Sequence, residues 1–321
     1  MKRGTLLLVL KIVVSLGLLS FFVFKLDLGD FWRVLASARI SYLLVALIAY
    51  LCSQLISSVR WALLARLLGF QNPLKDFTLF YLIGMFFSLF APGTVGGDVG
   101  RVVYLSRTGD REKEGRRAVA LGFAAISVLA DRAVGMAVLI WIGAVALAAA
   151  PRYSIPAAIR YATFALALGF VLAWALLPLL GWWLQSKENP TWKNLRLALE
   201  TYRGRRPVIL QAMILSLTVH ALQSWIHVMI GYALDIEFPW SYALIVYPLV
   251  GTFSALPVSL NGIGLREGGY LFLLSLIGVN SEQAIAFSLL WFLVGVLNSA
   301  IGGLVFILRR GANPSQQDQV R

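Results

Sequence analysis

Long apolar runs separated by short polar segments fill most of the chain. Six of them reach the roughly 20 residues that a helix needs to cross a bilayer: 5–24, 42–65, 118–149, 161–184, 208–234 and 283–308. Two more, 77–91 and 241–256, are shorter, and each ends in a segment rich in glycine and proline, where a helix breaks. The pattern predicts an all-α polytopic membrane protein with about six spanning helices and two re-entrant hairpins.

The two glycine- and proline-rich segments resemble each other. Residues 92–101 read PGTVGGDVGR and residues 257–266 read PVSLNGIGLR, so a proline, a Ser or Thr, a glycine and an arginine recur 165 positions apart. Each half then contains three membrane crossings, an odd number, so the second half begins on the opposite side of the membrane from the first. We therefore expect two inverted repeats, at 1–150 and 151–310, followed by a short polar tail at 311–321.

Composition and charge indicate the compartment. Hydrophobic residues make up 59% of the chain and charged residues 13%, whereas a soluble domain is roughly 45–50% apolar. The net charge of +13 comes from basic residues in short loops, chiefly 100–117 and 185–206, and not from one soluble face that would fit nucleic acid. The positive-inside rule places these loops and both termini in the cytoplasm. We expect a multi-pass protein of the inner membrane with no nucleic-acid partner.

Some functions are disfavoured by missing motifs. Cys52 is the single cysteine, so no intrachain disulfide and no cysteine metal cluster is expected. The chain shows no metal-ligand set, nucleotide-binding loop or Ser/His/Asp pattern, so we expect no metal and no cofactor. Lys2 and Arg3 precede the first apolar run as in a signal peptide, but no small-residue cleavage site follows directly. We expect a retained first helix.

The hairpin tips carry the first candidate site. Their glycines allow close approach of the backbone to a ligand, the N–H groups at the start of the next helix favour an anion, and an arginine can bind phosphate through two hydrogen bonds. The candidate substrate-binding residues are Thr94, Gly96, Gly97, Asp98 and Arg101 in the first hairpin, and Ser259, Asn261, Gly262, Gly264, Arg266 and Glu267 in the second. The alternative is structural, with glycines for helix packing and each arginine paired with its neighbouring carboxylate.

Two adjacent charges lie in the middle of an apolar run. Asp131 and Arg132 stand about 13 residues into the run at 118–149, which is ~20 Å along a helix and near mid-membrane. Because neighbouring helical residues point about 100° apart, each needs a partner on another element. We expect those partners to be Asp98 or Arg101, and Asn298. Asp131 and Arg132 are counted among the candidate substrate-binding residues. The alternative is a buried structural ion-pair network. Arg60 is interpreted as an interface anchor.

A polar stripe follows one face of the run at 208–234. Its members are spaced i, i+3, i+4 and i+7: His220, Gln223, Ser224 and His227. The two histidines are two turns apart, ~10.5 Å, too far to share one metal without further ligands. With Gln54, which aligns with His220 between the repeats, and Asn298, this stripe is expected to line a cavity.

The motifs together resemble a known family. The segments FAPGTVGGDVGR (90–101) and LPVSLNGIGLREGG (256–269), with Asp131 and Arg132 between them, are similar to the flippase-like membrane domain of the lysylphosphatidylglycerol synthases, also called multiple peptide resistance factors. The resemblance implies a membrane domain that moves a lipid or lipid-linked group between leaflets. The chain stops at Arg321 without the soluble aminoacyl-transferase domain, so we expect a stand-alone member that does not aminoacylate lipid.

Three functional hypotheses follow. The first is an inner-membrane translocator of a phospholipid or lipid-linked group, working by alternating access of the two repeats. The second is a proton-coupled transporter of a soluble anion. The third is a membrane-embedded lipid-modifying enzyme, with His220 and His227 as bases. The expected partners are membrane lipids and, in addition, a second copy of the chain or proteins of envelope biosynthesis.

Overall fold

The computed structural model describes residues 13–15, 17, 20, 26–90, 95–107, 117–187, 189–255, 259 and 262–312. Several predictions fall outside these residues: most of the first spanning helix at 5–24, the tip residues Thr94 and Asn261, and the polar tail from residue 313 onward.

Within the described ranges the regular elements are all helices. They are α1 (Leu28–Ala36), α2 (Ile40–Leu67), α3 (Leu74–Phe90), α4 (Val95–Ser106), α5 (Arg117–Ala149), α6 (Ala157–Leu184), α7 (Pro190–Gly204), α8 (Arg206–Ala233), α9 (Trp240–Ser254), α10 (Leu265–Ser275) and α11 (Ser281–Ala312). Five of them, α2, α5, α6, α8 and α11, are long and apolar enough to cross a membrane. The predicted all-α polytopic architecture is confirmed.

Two helix pairs occupy the places of the expected hairpins. The first arms, α3 and α9, are 17 and 15 residues long, shorter than a full crossing. Each packs against the short helix that follows it, α3 on α4 and α9 on α10. Their re-entrant path in the bilayer stays a prediction.

The centre of the bundle is an antiparallel pair, α2 and α8. The Arg39 backbone N–H donates to the Ala233 carbonyl at 2.9 Å, and Gln223 Nε2 donates to Ser53 Oγ at 2.7 Å. Later residues of α2 therefore contact earlier residues of α8. These are corresponding helices of the two halves, and an inverted repeat requires them to run in opposite directions.

The surrounding contacts keep their pattern when the halves are exchanged. Helix α3 packs on α11 as α9 packs on α5, and α4 packs on α5 as α10 packs on α11. The short helices follow the same rule, because α1 contacts α11 and α7 contacts α5. This agrees with a repeat, whose inversion across the membrane stays a prediction.

Glycine allows the arms of each hairpin to meet closely. A Cβ on Gly97 would lie 2.2 Å from the Gly84 carbonyl oxygen, and one on Gly262 would lie 2.9 Å from Ser254 Cβ. Gly262 also has a φ of +76°, a conformation that other residues adopt at a cost. The recurring glycine thus has a packing role in both hairpins.

Helix α7 begins with strong local signals. The Asn189 side chain accepts from the Thr191 N–H at 2.9 Å, and Pro190 occupies the first turn. Further along α7, burial, and then the negative charge of Asp131, raise the pKa of the Tyr202 phenol above its usual value. Tyr202 therefore stays neutral where α7 packs under the bundle.

Candidate functional site

A buried carboxylate joins two arginines from different helices. Asp131 of α5 accepts from Arg60 Nε of α2 at 2.7 Å and from Arg101 NH2 of α4 at 2.8 Å, using one carboxylate oxygen for each. The three residues are 1%, 6% and 5% exposed respectively. Arg60 also donates through NH1 to Ser216 Oγ of α8 at 2.9 Å. The contact connects both halves of the bundle.

Aromatic rings fix the position of Arg101. Its guanidinium carbon lies 4.2 Å from the ring centroid of Trp61 and 4.5 Å from that of Tyr81, at distances where cation–π attraction is effective. Gly84 leaves room for its stem, since a Cβ there would lie 3.0 Å from Arg101 Cγ. Arg101 Nε is buried and has no hydrogen-bond partner in the described part of the chain.

A more exposed ion pair continues the cluster outward. Arg132 binds Asp98 through two contacts, Nε to Oδ2 at 2.8 Å and NH2 to Oδ1 at 3.0 Å. Their side chains are 44% and 24% exposed, and Arg101 NH1 lies 3.7 Å from Asp98 Oδ1. We call these five residues the arginine–aspartate cluster: Arg60, Asp98, Arg101, Asp131 and Arg132. Three guanidinium groups and two carboxylates leave it one positive charge in excess.

The structure thus brings together four residues that the sequence singled out. Asp131 and Arg132 both take partners in the first hairpin, as expected, with Asp131 on Arg101 and Arg132 on Asp98. Asn298 is placed otherwise, because its Nδ2 donates to the carbonyls of Val294 at 2.9 Å and Leu47 at 3.4 Å.

Arg60 corrects an interpretation from the sequence. It was expected to anchor at the membrane interface, but it is buried and bound to Asp131 and Ser216. Its position inside an apolar run, like that of Asp131, was the available signal. No sequence signal marked Trp61, Tyr81 or Ser216, because aromatic and serine side chains are common in apolar helices.

The arginine of the second hairpin has different surroundings. Arg266 pairs with its neighbour Glu267 and lies over the Phe292 ring, 4.5 Å from the centroid. Glu267 also accepts from the Gly264 N–H at 2.6 Å, which caps the start of α10. Here the structural alternative, an arginine paired with its own neighbouring carboxylate, describes the contacts.

The polar stripe of α8 is buried among aromatic rings. His220 contacts Tyr247 OH at 3.0 Å and the Gly135 carbonyl at 2.9 Å. His227 contacts the Gln223 carbonyl through Nδ1 at 2.8 Å and Tyr270 OH through Nε2 at 2.7 Å. A carbonyl only accepts, so Nδ1 of His227 carries the proton and the tyrosine donates to Nε2.

Two more residues expected to line the cavity also lie inside the protein. Gln54, which lies on α2 beside the stripe, donates through Nε2 to Ser53 Oγ at 3.2 Å. Ser224 of the stripe is fully buried, and its hydroxyl has no hydrogen-bond partner among the described residues. The stripe therefore faces the bundle interior, and its role in lining a cavity stays a prediction.

Comparison with known proteins supports a lipid-related membrane family. The family described as "Lysylphosphatidylglycerol synthase TM region" matches residues 8–302. A UPF0104 membrane protein of Methanocaldococcus jannaschii is 26% identical over 106 residues, which span 33% of this chain and 30% of the relative. Because the family match runs through both hairpins and the arginine–aspartate cluster, the chain belongs to the family of the lysylphosphatidylglycerol synthase TM region.

Proposed function

We propose that this chain is a translocator of the inner membrane that moves a phospholipid or lipid-linked group between leaflets, and not an enzyme. The observation that supports the proposal is Arg132, whose side chain is 44% exposed near the middle of the 33-residue helix α5. Both termini of the chain lie in the cytoplasm under this proposal.

An exposed charge at this depth needs a polar neighbour. Placing an arginine at the centre of a spanning helix costs ~2.5–3.5 kcal/mol by insertion measurements, so such residues usually face water or a substrate path. The backing cluster carries one excess positive charge, which favours an anion. A lipid phosphate presents oxygens much as a carboxylate does, so it can replace Asp98 on the fork of Arg132.

The buried and the exposed members of the arginine–aspartate cluster suit different roles. Asp131, Arg60 and Arg101 are buried and bound to one another, which suits a scaffold that joins α2, α4 and α5. Arg132 and Asp98 are more exposed and can change partners. The role of phosphate contact therefore moves from Arg101, the sequence-based choice, to Arg132, and Arg101 becomes a positioning residue.

Alternating access is the proposed mechanism. Arg60 and Ser216 connect the halves beside the site, so rocking of one half against the other changes what Arg132 and Asp98 face. In the second half Arg266 and Glu267 form a pair that can open in the opposite state. The acyl tails stay in the bilayer while the headgroup passes.

The test is a leaflet-resolved assay in proteoliposomes with labelled anionic and zwitterionic phospholipids. We expect Arg132→Gln to lower the transfer rate at least about tenfold, since a hydrogen bond to a charged group contributes about 1.5–3 kcal/mol. Arg132→Lys keeps the charge but not the fork, so an intermediate rate is expected. Arg33→Gln removes an equal charge from an exposed pair on α1 and serves as the matched control.

Wild-type transfer rates in a folded Arg132→Gln protein would contradict the proposal. Uptake of a soluble phosphate compound that depends on Arg132, without lipid transfer, would assign the same cluster to a soluble anion. Arg101→Ala is a poorer variant, because it leaves one oxygen of the buried Asp131 carboxylate without its arginine and confounds transport with folding.

A further inference from the structure

A groove lined by both polar and apolar residues lies at the C-terminal end of α5. The turn between α5 and α6 borders a cavity of about 230 Å³. Its lining combines the apolar side chains of Ala146, Ala149 and Leu244 with the polar side chains of Arg152 and Ser241. Between Arg132 and the end of α5 lie 17 residues, ~25 Å of helix. The groove is therefore separate from the arginine–aspartate cluster.

Arg152 is held in place by hydroxyl groups. Its NH2 donates to Ser241 Oγ at 2.9 Å and to Tyr153 OH at 3.2 Å, and the two hydroxyls are 2.9 Å apart. Its guanidinium carbon lies 5.0 Å from the Tyr153 ring centroid. Within the part of the chain that the structure describes, Arg152 forms no ion pair with a carboxylate, so its charge is uncompensated.

A nearby arginine, Arg160, contacts backbone carbonyls instead of hydroxyl groups. Arg160 donates to the carbonyls of Leu147 at 2.7 Å and Tyr153 at 3.4 Å, so it stabilises the C-terminal end of α5. Helix α9 begins beside Arg152 after Pro239, which provides no side-chain cap. The positive end of the α9 dipole thus adds to the charge of Arg152.

Beyond the groove, the seam between α5 and α9 has room for a group of about the size of a water molecule, so the acyl chain would lie in the groove itself. Beyond the close contact of Gly143 with Pro248, a smaller cavity of about 30 Å³ continues along the same two helices, lined in part by Ile140 and Thr252. The corresponding seam between α3 and α11 is packed backbone to backbone, since a Cβ on Gly302 would lie 1.9 Å from the Leu82 carbonyl oxygen.

Exposed aromatic residues indicate that this end lies at a membrane interface. Trp240 and Tyr161 are 42% and 69% exposed, and both stand at the ends of helices bordering the groove. Trp and Tyr concentrate at headgroup level. A cation at headgroup level beside an apolar groove is complementary to an anionic phospholipid.

We propose that the turn between α5 and α6 is a docking site for an anionic phospholipid, with Arg152 and Ser241 binding the phosphate and an acyl chain lying over Ala149 and Leu244. The site does not depend on transport by the arginine–aspartate cluster. Under the positive-inside topology it faces the outer leaflet.

Native mass spectrometry of the full chain in neutral detergent tests the site, with phosphatidylglycerol and phosphatidylcholine as probes. The measurements use an Arg132→Gln background, so that the proposed transport site does not contribute. We expect Arg152→Gln to weaken phosphatidylglycerol binding about tenfold and to remove its preference over phosphatidylcholine. Ala149→Leu fills the groove at an exposed position without changing charge, and is expected to weaken both lipids.

Arg33→Gln is again the charge-matched control, and it should bind phosphatidylglycerol as the background protein does. Unchanged binding in both Arg152→Gln and Ala149→Leu would overturn the proposal, as would an equal loss in Arg33→Gln. Displacement of the lipid by millimolar inorganic phosphate would assign the site to a soluble anion and contradict the proposal that it binds a lipid. None of these outcomes bears on the transfer assay.

Discussion

Asp131 is bound through both carboxylate oxygens to guanidinium groups from two other helices. Two buried arginines around one carboxylate leave one positive charge in excess in a low-dielectric interior. Removing one member of such a set lowers the free energy of unfolding by more than the whole set adds to it, because the remaining charges stay buried away from water.

We therefore expect Asp131→Asn to destabilise the protein by about 3–5 kcal/mol. A large fall in the thermal unfolding midpoint of detergent-solubilised protein would show this. Asp30→Asn breaks the exposed pair of Asp30 with Arg33 and should change stability by less than about 1 kcal/mol. Equal midpoints for the two variants would mean that the Asp131 contacts are not stabilising.

Single residues show where sequence reasoning at this scale succeeds. Asp131 and Arg132 stood out because charges are rare in apolar runs, and the structure gives both the hairpin partners expected of them. Sequence alone could not divide the roles between Arg101 and Arg132, both candidate substrate-binding residues, since exposure depends on packing. The stacking of Arg101 between Trp61 and Tyr81 likewise has no sequence signature.

At the scale of elements, the two hairpins use similar sequences for different contacts. Arg101 and Arg266 occupy the same place in the repeat, yet Arg101 binds Asp131 of the neighbouring long helix and Arg266 binds Glu267 beside it. At the same offset of 165 residues, the position corresponding to Asp131 in α11 is Val296. Without a carboxylate there, Arg266 turns to its chain neighbour.

The packing of the first hairpin on α11 gives a direct test. We expect Gly302→Ala to lower stability by about 1–3 kcal/mol, because the new Cβ would lie 1.9 Å from the Leu82 carbonyl oxygen, and backbone cannot move aside cheaply. Thermal unfolding in detergent measures the change.

Gly169→Ala is the matched control in another spanning helix, since nothing lies within 4 Å of its Cβ position. It should leave the unfolding midpoint unchanged or raise it slightly, because alanine favours the helix. If Gly302→Ala were as stable as this control, the close seam between α3 and α11 would be refuted.

At the scale of the whole molecule, the proposed inverted topology predicts on which side of the membrane each loop lies. Ser154 and Ser186 are exposed and flank α6, while Ser37 lies just before α2. In a Cys52→Ser background, we expect an impermeant maleimide to label Ser37→Cys and Ser154→Cys from outside in right-side-out vesicles. Ser186→Cys should react only after permeabilisation.

Labelling of Ser154→Cys and Ser186→Cys from the same side would show that α6 does not cross. Reversed labelling of all three would keep the architecture but place the termini outside. Quenching with a second impermeant reagent before permeabilisation controls for leaky vesicles.

The sequence by itself determined the membrane class, the long helices and the repeated hairpins, because lipid imposes apolar runs of fixed length and broken helices need glycine and proline. It also located the charges of the site, which are costly wherever they stand in an apolar run. Tertiary structure decided which of those charges are buried and which exposed. It placed Arg60 on Asp131 in the interior and left Arg132 partly exposed, paired with Asp98. Partners and exposure arise from the packing of helices distant in sequence, and no local pattern encodes them.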